Sequence, residues 1–355
     1  MINKTETKKL FFVDDNPLFQ FINPNSNDEL SKMSGNDLQE LIDLLEDYYL
    51  QLRSELGFDK YITFGLEIEF EHAMYDHVKE NIDRKFNGKW ITKHDGSLHE
   101  GAEINSPILS DNKTSWEEVD TVCQIISPLG KVDTYSGGHV HIGTQTLGNK
   151  KQSWLNFIKI LSVFENIIYR FTYGNFLTHR PCMYKYAEPM TKDFWRYYQA
   201  NKNEEELSKL IRTLQFRRNQ AVNFSKVLND NLNDKKTGNT IEFRCPNSSF
   251  DPVIWQNNIN LFINLLLYSK SETYNDDIVE ARHMVNAGNY DALRWYDEVY
   301  LEQALELCDM LFDNNLDKVY FLKQYLKSFE VQKHTNKYSE IKKISKTGIK
   351  ILSHN

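Results

Sequence analysis

"TFGLEIEFEH", residues Thr63 to His72, alternates almost without a break. Phe64, Leu66, Ile68 and Phe70 share one parity, while Gly65, Glu67, Glu69 and Glu71 share the other. A two-residue period of this kind predicts a strand with one apolar face. Same-face neighbours on a pleat lie about 7 Å apart, so three carboxylates in a row repel unless water or a cation offsets their charge. The strand therefore asks what positive partner faces it.

Two later stretches carry the same period. In "GGHVHIG", Gly137 to Gly143, His139 and His141 point one way while Val140 and Ile142 point the other. In "NTIEFRCP", Asn239 to Pro246, Ile241 and Phe243 read as core, with Glu242 and Arg244 opposite. Between the first two strands, "WITKHDGSLHEGAEINSPIL" reads as two strands about a turn containing Asp95-Gly96. If these strands join one sheet, Glu-x-Glu, His-x-His and Glu-x-Arg form a common floor. Carboxylate oxygens suit Mg2+ or Mn2+, an imidazole suits Mn2+ as well, and an Arg beside the cation suits phosphate oxygens. Each pair alone has a blander reading, a solvated outer face or a surface ion pair. Their coincidence carries the functional one.

Helical spacing marks the rest. Leu38, Leu41, Leu45, Tyr48 and Leu52 repeat behind a cap at Ser34 or Asn36, and a helix is expected from Thr114 to Leu129. Lys150 to Phe171 reads as a long amphipathic helix, residues 190–215 as polar helices, and Pro252 to Ser269 and Tyr300 to Phe312 as two more. The layout expected is a polar, loosely ordered arm over 1–33, a catalytic domain over 34–275, and a helical extension with a basic tail over 276–355. No internal repeat is evident.

The totals narrow the class. The chain has 355 residues, 40% hydrophobic and 26% charged, with 15 Gly and 8 Pro, a globular composition. A net charge of -8 argues against a general nucleic-acid binder. The four cysteines are far apart, which suits reduced thiols in a cytoplasm, with Cys182 and Cys245 read as small buried residues. The N-terminal stretch lacks a signal-peptide core, and "LFINLLLY" is too short to span a bilayer, so no membrane partner is expected. No Gly-rich phosphate loop occurs, so a nucleotide would be held by the sheet.

Taken in order, "GLEIEFE", "HDGSLHEGAEINSP", "GGHVHIG" and "NTIEFRCP" resemble the successive motifs of the amidoligase family, within the carboxylate-amine ligase superfamily of glutamine synthetase and glutamate-cysteine ligase. The resemblance runs from about Phe64 to Pro246. It implies an α+β fold in which a curved, mainly antiparallel sheet forms a funnel for ATP, divalent ions and substrates. It also implies that ATP phosphorylates a carboxylate and an amine then attacks the acyl phosphate. By the same resemblance Glu67, Glu69, Glu103, His139 and Glu242 match metal ligands. His141 and Arg244 match groups near the ATP phosphates. Glu71 has no counterpart and is taken as solvated or secondary. Asp95 and Ser97 are candidates for orienting substrate or metal, with a plain hairpin turn as the alternative. Arg170 and Arg180 are candidates for holding the substrate carboxylate, and Arg218 and Asn223 in "RRNQAVNFS" resemble a family motif. The aromatics of "YRFTYGNF" and "CMYKYAEP" would line a pocket or pack in the core.

Two other readings remain open. A metal-dependent hydrolase would use His-x-His and the acidic cluster to activate water, although His179 and His283 lack supporting acidic motifs. A nucleotide- or peptide-binding protein of the same fold without turnover is the second, weakened because every metal and phosphate position is filled. The sequence names neither substrate and carries no signal for an oligomeric state.

Overall fold

The computed structural model describes residues 16–133, 135–214, 219–227, 238–289 and 293–327. Its strands are β1 (Thr63–Phe70), β2 (Ile91–Lys93), β3 (Ala102–Asn105), β4 (Leu109–Ser110), β5 (Gly138–Gly143), β6 (Val222–Asn223) and β7 (Thr240–Phe243). They form one open sheet in the order β2-β3-β1-β5-β7-β6, with β4 also on β1, and every pairing is antiparallel.

Around the sheet run α1 (Pro17–Phe21), α2 (Gly35–Glu46), α3 (Tyr75–Phe86), α4 (Lys113–Ile126), α5 (Lys151–Thr172), α6 (Met183–Tyr186) and α7 (Thr191–Asn201). After them come α8 (Leu207–Leu214), α9 (Pro252–Ser269), α10 (Asp276–Asn286), α11 (Leu293–Asp297), α12 (Leu301–Leu311) and α13 (Asn315–Leu326). The fold is thus mixed α and β, with an antiparallel sheet.

The apolar parity of β1 is buried as its period requires: Phe64, Leu66, Ile68 and Phe70 are almost fully covered. Three helices pack on the apolar face of the sheet. Phe64 stacks on Trp116 of α4, and Phe243 of β7 stacks on Phe262 of α9, with ring centroids 3.9 Å apart. Phe157 of α5 meets Phe243 edge-on. Gly138 opens β5 because a Cβ there would come within 2.2 Å of the Trp255 ring. Burying one such aromatic side chain contributes on the order of 2 to 3 kcal/mol. With helices on one face, the polar parity of every strand is left for the other.

Two expectations change. Residues 16–33 are not a loose arm: Leu18 and Leu30 are buried, and Asp309 of α12 accepts from the Leu30 and Ser31 amides at 3.0 and 2.8 Å. Asn315 at the start of α13 exchanges hydrogen bonds with Asp28. The polar residues that read as solvent-seeking are instead matched to caps and carboxylates across the chain. Residues 276–326 join the same hydrophobic cluster as the sheet's helices. Gln324 and Asp317 of α13 bond the buried amides of Asn257, Asn258 and Asn260 on α9. No helix among the described residues is long and apolar enough to cross a membrane.

Candidate active site

Register brings the polar residues together. Glu103 of β3 faces Glu69 of β1, Glu67 faces His139 of β5, and His141 faces Glu242 of β7, which in turn faces Asn223 of β6. Directly opposed residues in antiparallel strands hold their Cβ atoms about 5 Å apart. Five strands therefore contribute to one floor.

Glu67 lies at its centre. Its Oε2 is 2.6 Å from His139 Nδ1 and its Oε1 is 3.1 Å from His141 Nε2. Burial acts to raise the Glu67 pKa, but the hydrogen bonds and charge of the two imidazoles outweigh it and hold the carboxyl well below the usual range. His139 shows the reciprocal effect: burial lowers it, yet Glu67 and Glu69 carry it above its ordinary value against the charge of Arg244. Glu103 is raised by burial first and then by the charge of Glu67. Three groups, Glu67-His141-Glu242, Glu67-Glu103-His139 and Glu69-Asp95-Glu103, each place one donor atom per residue within 4.8 Å of the others. Oxygen donors with one imidazole suit a hard divalent cation, and no thiolate competes. Burial pushes the Cys245 thiol up to about 12.

Arg244 closes one side. Its Nη1 lies 2.5 Å from Glu242 Oε1, and its Nε donates to the Tyr186 carbonyl at 3.1 Å. Asn223 donates to the other Glu242 oxygen at 2.7 Å, so Glu242 is fixed from both sides. Above the floor lies a cleft of about 470 Å³ whose wall includes Glu69, Asp95, His139, Arg180, Tyr186 and Arg244. Asp95 Oδ1 accepts from the Ser97 amide and hydroxyl, both at 2.6 Å, so Ser97 orients Asp95 in the β2-β3 turn, and both line the cleft. Arg180, 4% exposed, reaches it from the segment after α5.

Other candidates fall elsewhere. Arg170 is buried away from the cleft, its Nε on the Tyr325 carbonyl and its Nη1 on that of Asp297. Arg218 lies outside the described residues. Glu71 is not solvated: it is 2% exposed and accepts from the His99 and Glu100 amides, both at 2.9 Å. It thereby pins the turn that carries Asp95 and Ser97. Of the aromatics, Tyr186 lines the cleft, whereas Tyr169 and Tyr173 are core. Tyr135 and Asn219 also line it. Neither stood out in the sequence, because both sit in loops without periodicity.

A sheet floor of carboxylates and imidazoles under an open cleft with two guanidiniums defines a site for cations and anionic groups. The family model described as putative amidoligase enzyme matches residues 91–266, about half of the chain, and the protein belongs to that family. It is accordingly an enzyme of the ligase type. Glu103, His139, His141, Asn223, Glu242 and Arg244 fall within the match, and Glu67 and Glu69 precede it. No curated protein and no solved structure matches the chain.

Proposed function

We propose that this protein is an ATP-dependent carboxylate-amine ligase that works through an acyl phosphate. The observation that carries the reading is the convergence of Glu67, Glu69, Glu103, His139, His141 and Glu242 on one sheet face beside Arg244. The reaction needs such a site, because a carboxylate is a poor electrophile and its phosphorylation brings anions together. A carboxylate oxygen attacks the γ-phosphorus of ATP and the bond to ADP breaks. An amine nitrogen then attacks the acyl carbon, the bond to phosphate breaks, and the nitrogen loses a proton. The product is an amide, with ADP and phosphate.

Glu67, Glu69, Glu103, His139 and Glu242 are the residues that would hold Mg2+ or Mn2+. Bound there, such ions would offset charge on the transferred phosphoryl group. His141 and Arg244 face the phosphates in this reading, Arg244 with a planar fork that Glu242 and the Tyr186 carbonyl hold in place. Asp95, oriented by Ser97, positions substrate or a second cation. The glutamine synthetase-like funnel belongs to the same proposal. Calorimetric titration of ATP, with Mg2+ and with Mn2+, tests it. Saturable, metal-dependent binding that the Glu67→Gln variant loses is expected, and no binding under either metal contradicts the reading.

A further inference from the structure

Two guanidiniums line the cleft, and they differ in what they already hold. Arg244 has its carboxylate, Glu242. Arg180 has none among the described residues: its hydrogen bond is from Nη2 to the Arg244 carbonyl at 3.0 Å. Burying a cation without a bonded anion is costly, and Arg180 is 4% exposed, with Glu69 near it across Gly137 but in no ion pair with it. A fold that keeps such a group in a cleft wall has a use for its free N–H donors.

The surroundings fix that group before any ligand arrives. Gly137 makes room for it, since a Cβ there would fall 1.9 Å from Arg180 Nη1 and 3.0 Å from Glu69 Oε2. The preceding residue, His179, is tied to Asp297 of α11 twice, through its amide and through Nδ1, both at 2.9 Å. The Arg180 carbonyl accepts from the Met183 amide at 3.0 Å. Such preorganisation lowers the ordering cost of binding.

We propose that Arg180 is the carboxylate-recognition residue of the cleft, holding a free carboxylate of an amino acid or of a peptide C-terminus. The planar edge left after the bond to Arg244 matches the two oxygens of a carboxylate. The cleft carries both signs of charge: Glu69 and Asp95 line it together with Arg180 and Arg244, and Tyr186 and Asn219 add neutral groups. This names the substrate class of the ligase proposed above and rests on that reading only for what happens after binding.

The test therefore omits nucleotide. Ligand-observed NMR titrations would use L-alanine, L-glutamate and glycylglycine, the amides alaninamide and glycylglycinamide, and inorganic phosphate. Saturable binding of at least one free carboxylate, lost in its amide, is expected, and the amino acids against the dipeptide distinguish the two sources. Arg180→Gln is expected to weaken that binding at least tenfold, and Arg180→Lys only several-fold, with thermal unfolding followed in parallel. Carboxylates that do not bind, amides that bind equally, phosphate binding alone, or an Arg180→Gln variant that binds like wild type would each overturn the proposal. The amide comparison uses wild-type protein, so it decides even if the variants do not fold. A protein that binds carboxylates but never turns over ATP would refute the ligase reading and leave this one standing.

Discussion

Arg244 is 13% exposed and its partner Glu242 4%, so their pair is not a wet surface contact of negligible worth. If its fork meets a transferring phosphoryl group, Arg244→Lys keeps the charge and loses the geometry, and turnover should fall by about 10² to 10³ while ATP affinity changes less. Single-turnover ADP formation at saturating ATP measures this, and a near-wild-type rate would remove Arg244 from the mechanism. The two glycines before His139 give a contrast. Gly137→Ala should push aside Arg180 and Glu69 and cut activity with little loss of fold. Gly138→Ala strikes the Trp255 ring and should lower stability by about 1 to 3 kcal/mol, as overpacking does, seen in denaturant melts. At this scale the sequence disclosed residue types with chemistry and their parity, and so Glu67, Glu69, His139, His141, Glu242 and Arg244 were legible. The structural duty of Glu71 was not, because its partners are backbone amides 28 and 29 residues away, which no spacing encodes.

At the scale of elements, legibility followed length and regularity. β1, β5 and β7 were readable because four or more alternating residues make a period, whereas β4 and β6 have two residues each. The helix α3 was missed because its buried stripe is only Val78 and Ile82. In α5 the expected helix is present but breaks at Phe164, with φ -108° and ψ 16°. The next residue, Glu165, turns inward and accepts from the Met190 and Thr191 amides at the start of α7. Burial pushes Glu165 up to about 7, against the hydrogen bonds that favour its ionised form. The sign follows from linkage. Between about 4.5 and 7 the folded protein binds more protons at this site than the unfolded chain, so Glu165 makes stability fall as pH rises through that window. Glu165→Gln should remove that slope, a change of about 3 kcal/mol across the window. Urea unfolding of both proteins at pH 5 and pH 8 measures it, and parallel pH dependences would count against the argument.

For the whole molecule, the lesson lies in the ends. The polar stretch 16–33 read as an arm because Asn, Asp and Pro favour turns, and nothing local shows that their partners lie near Asp309 and Asn315. Lys318, 1% exposed, pairs with Asp309 at 2.8 Å in the same contact. Asp309→Ala would leave that ammonium without its carboxylate, bonded among the described residues only to the Asp28 carbonyl, and would leave two amides without their acceptor. It should destabilise the protein by about 3 kcal/mol. Denaturant unfolding should register the loss, and an unchanged midpoint would mean the contact contributes nothing to stability.

The central claim, that the sheet floor supports ATP-dependent amide formation, is tested most directly by stoichiometry. Purified protein would be given ATP, Mg2+ and pooled carboxylates and amines, with ADP and new amide quantified together by mass spectrometry. The account predicts ADP and amide in equal amounts, both requiring carboxylate and amine, and both lost in Glu67→Gln. Amide bonds hydrolysed without nucleotide, or ADP released with no dependence on carboxylate and amine, would contradict it.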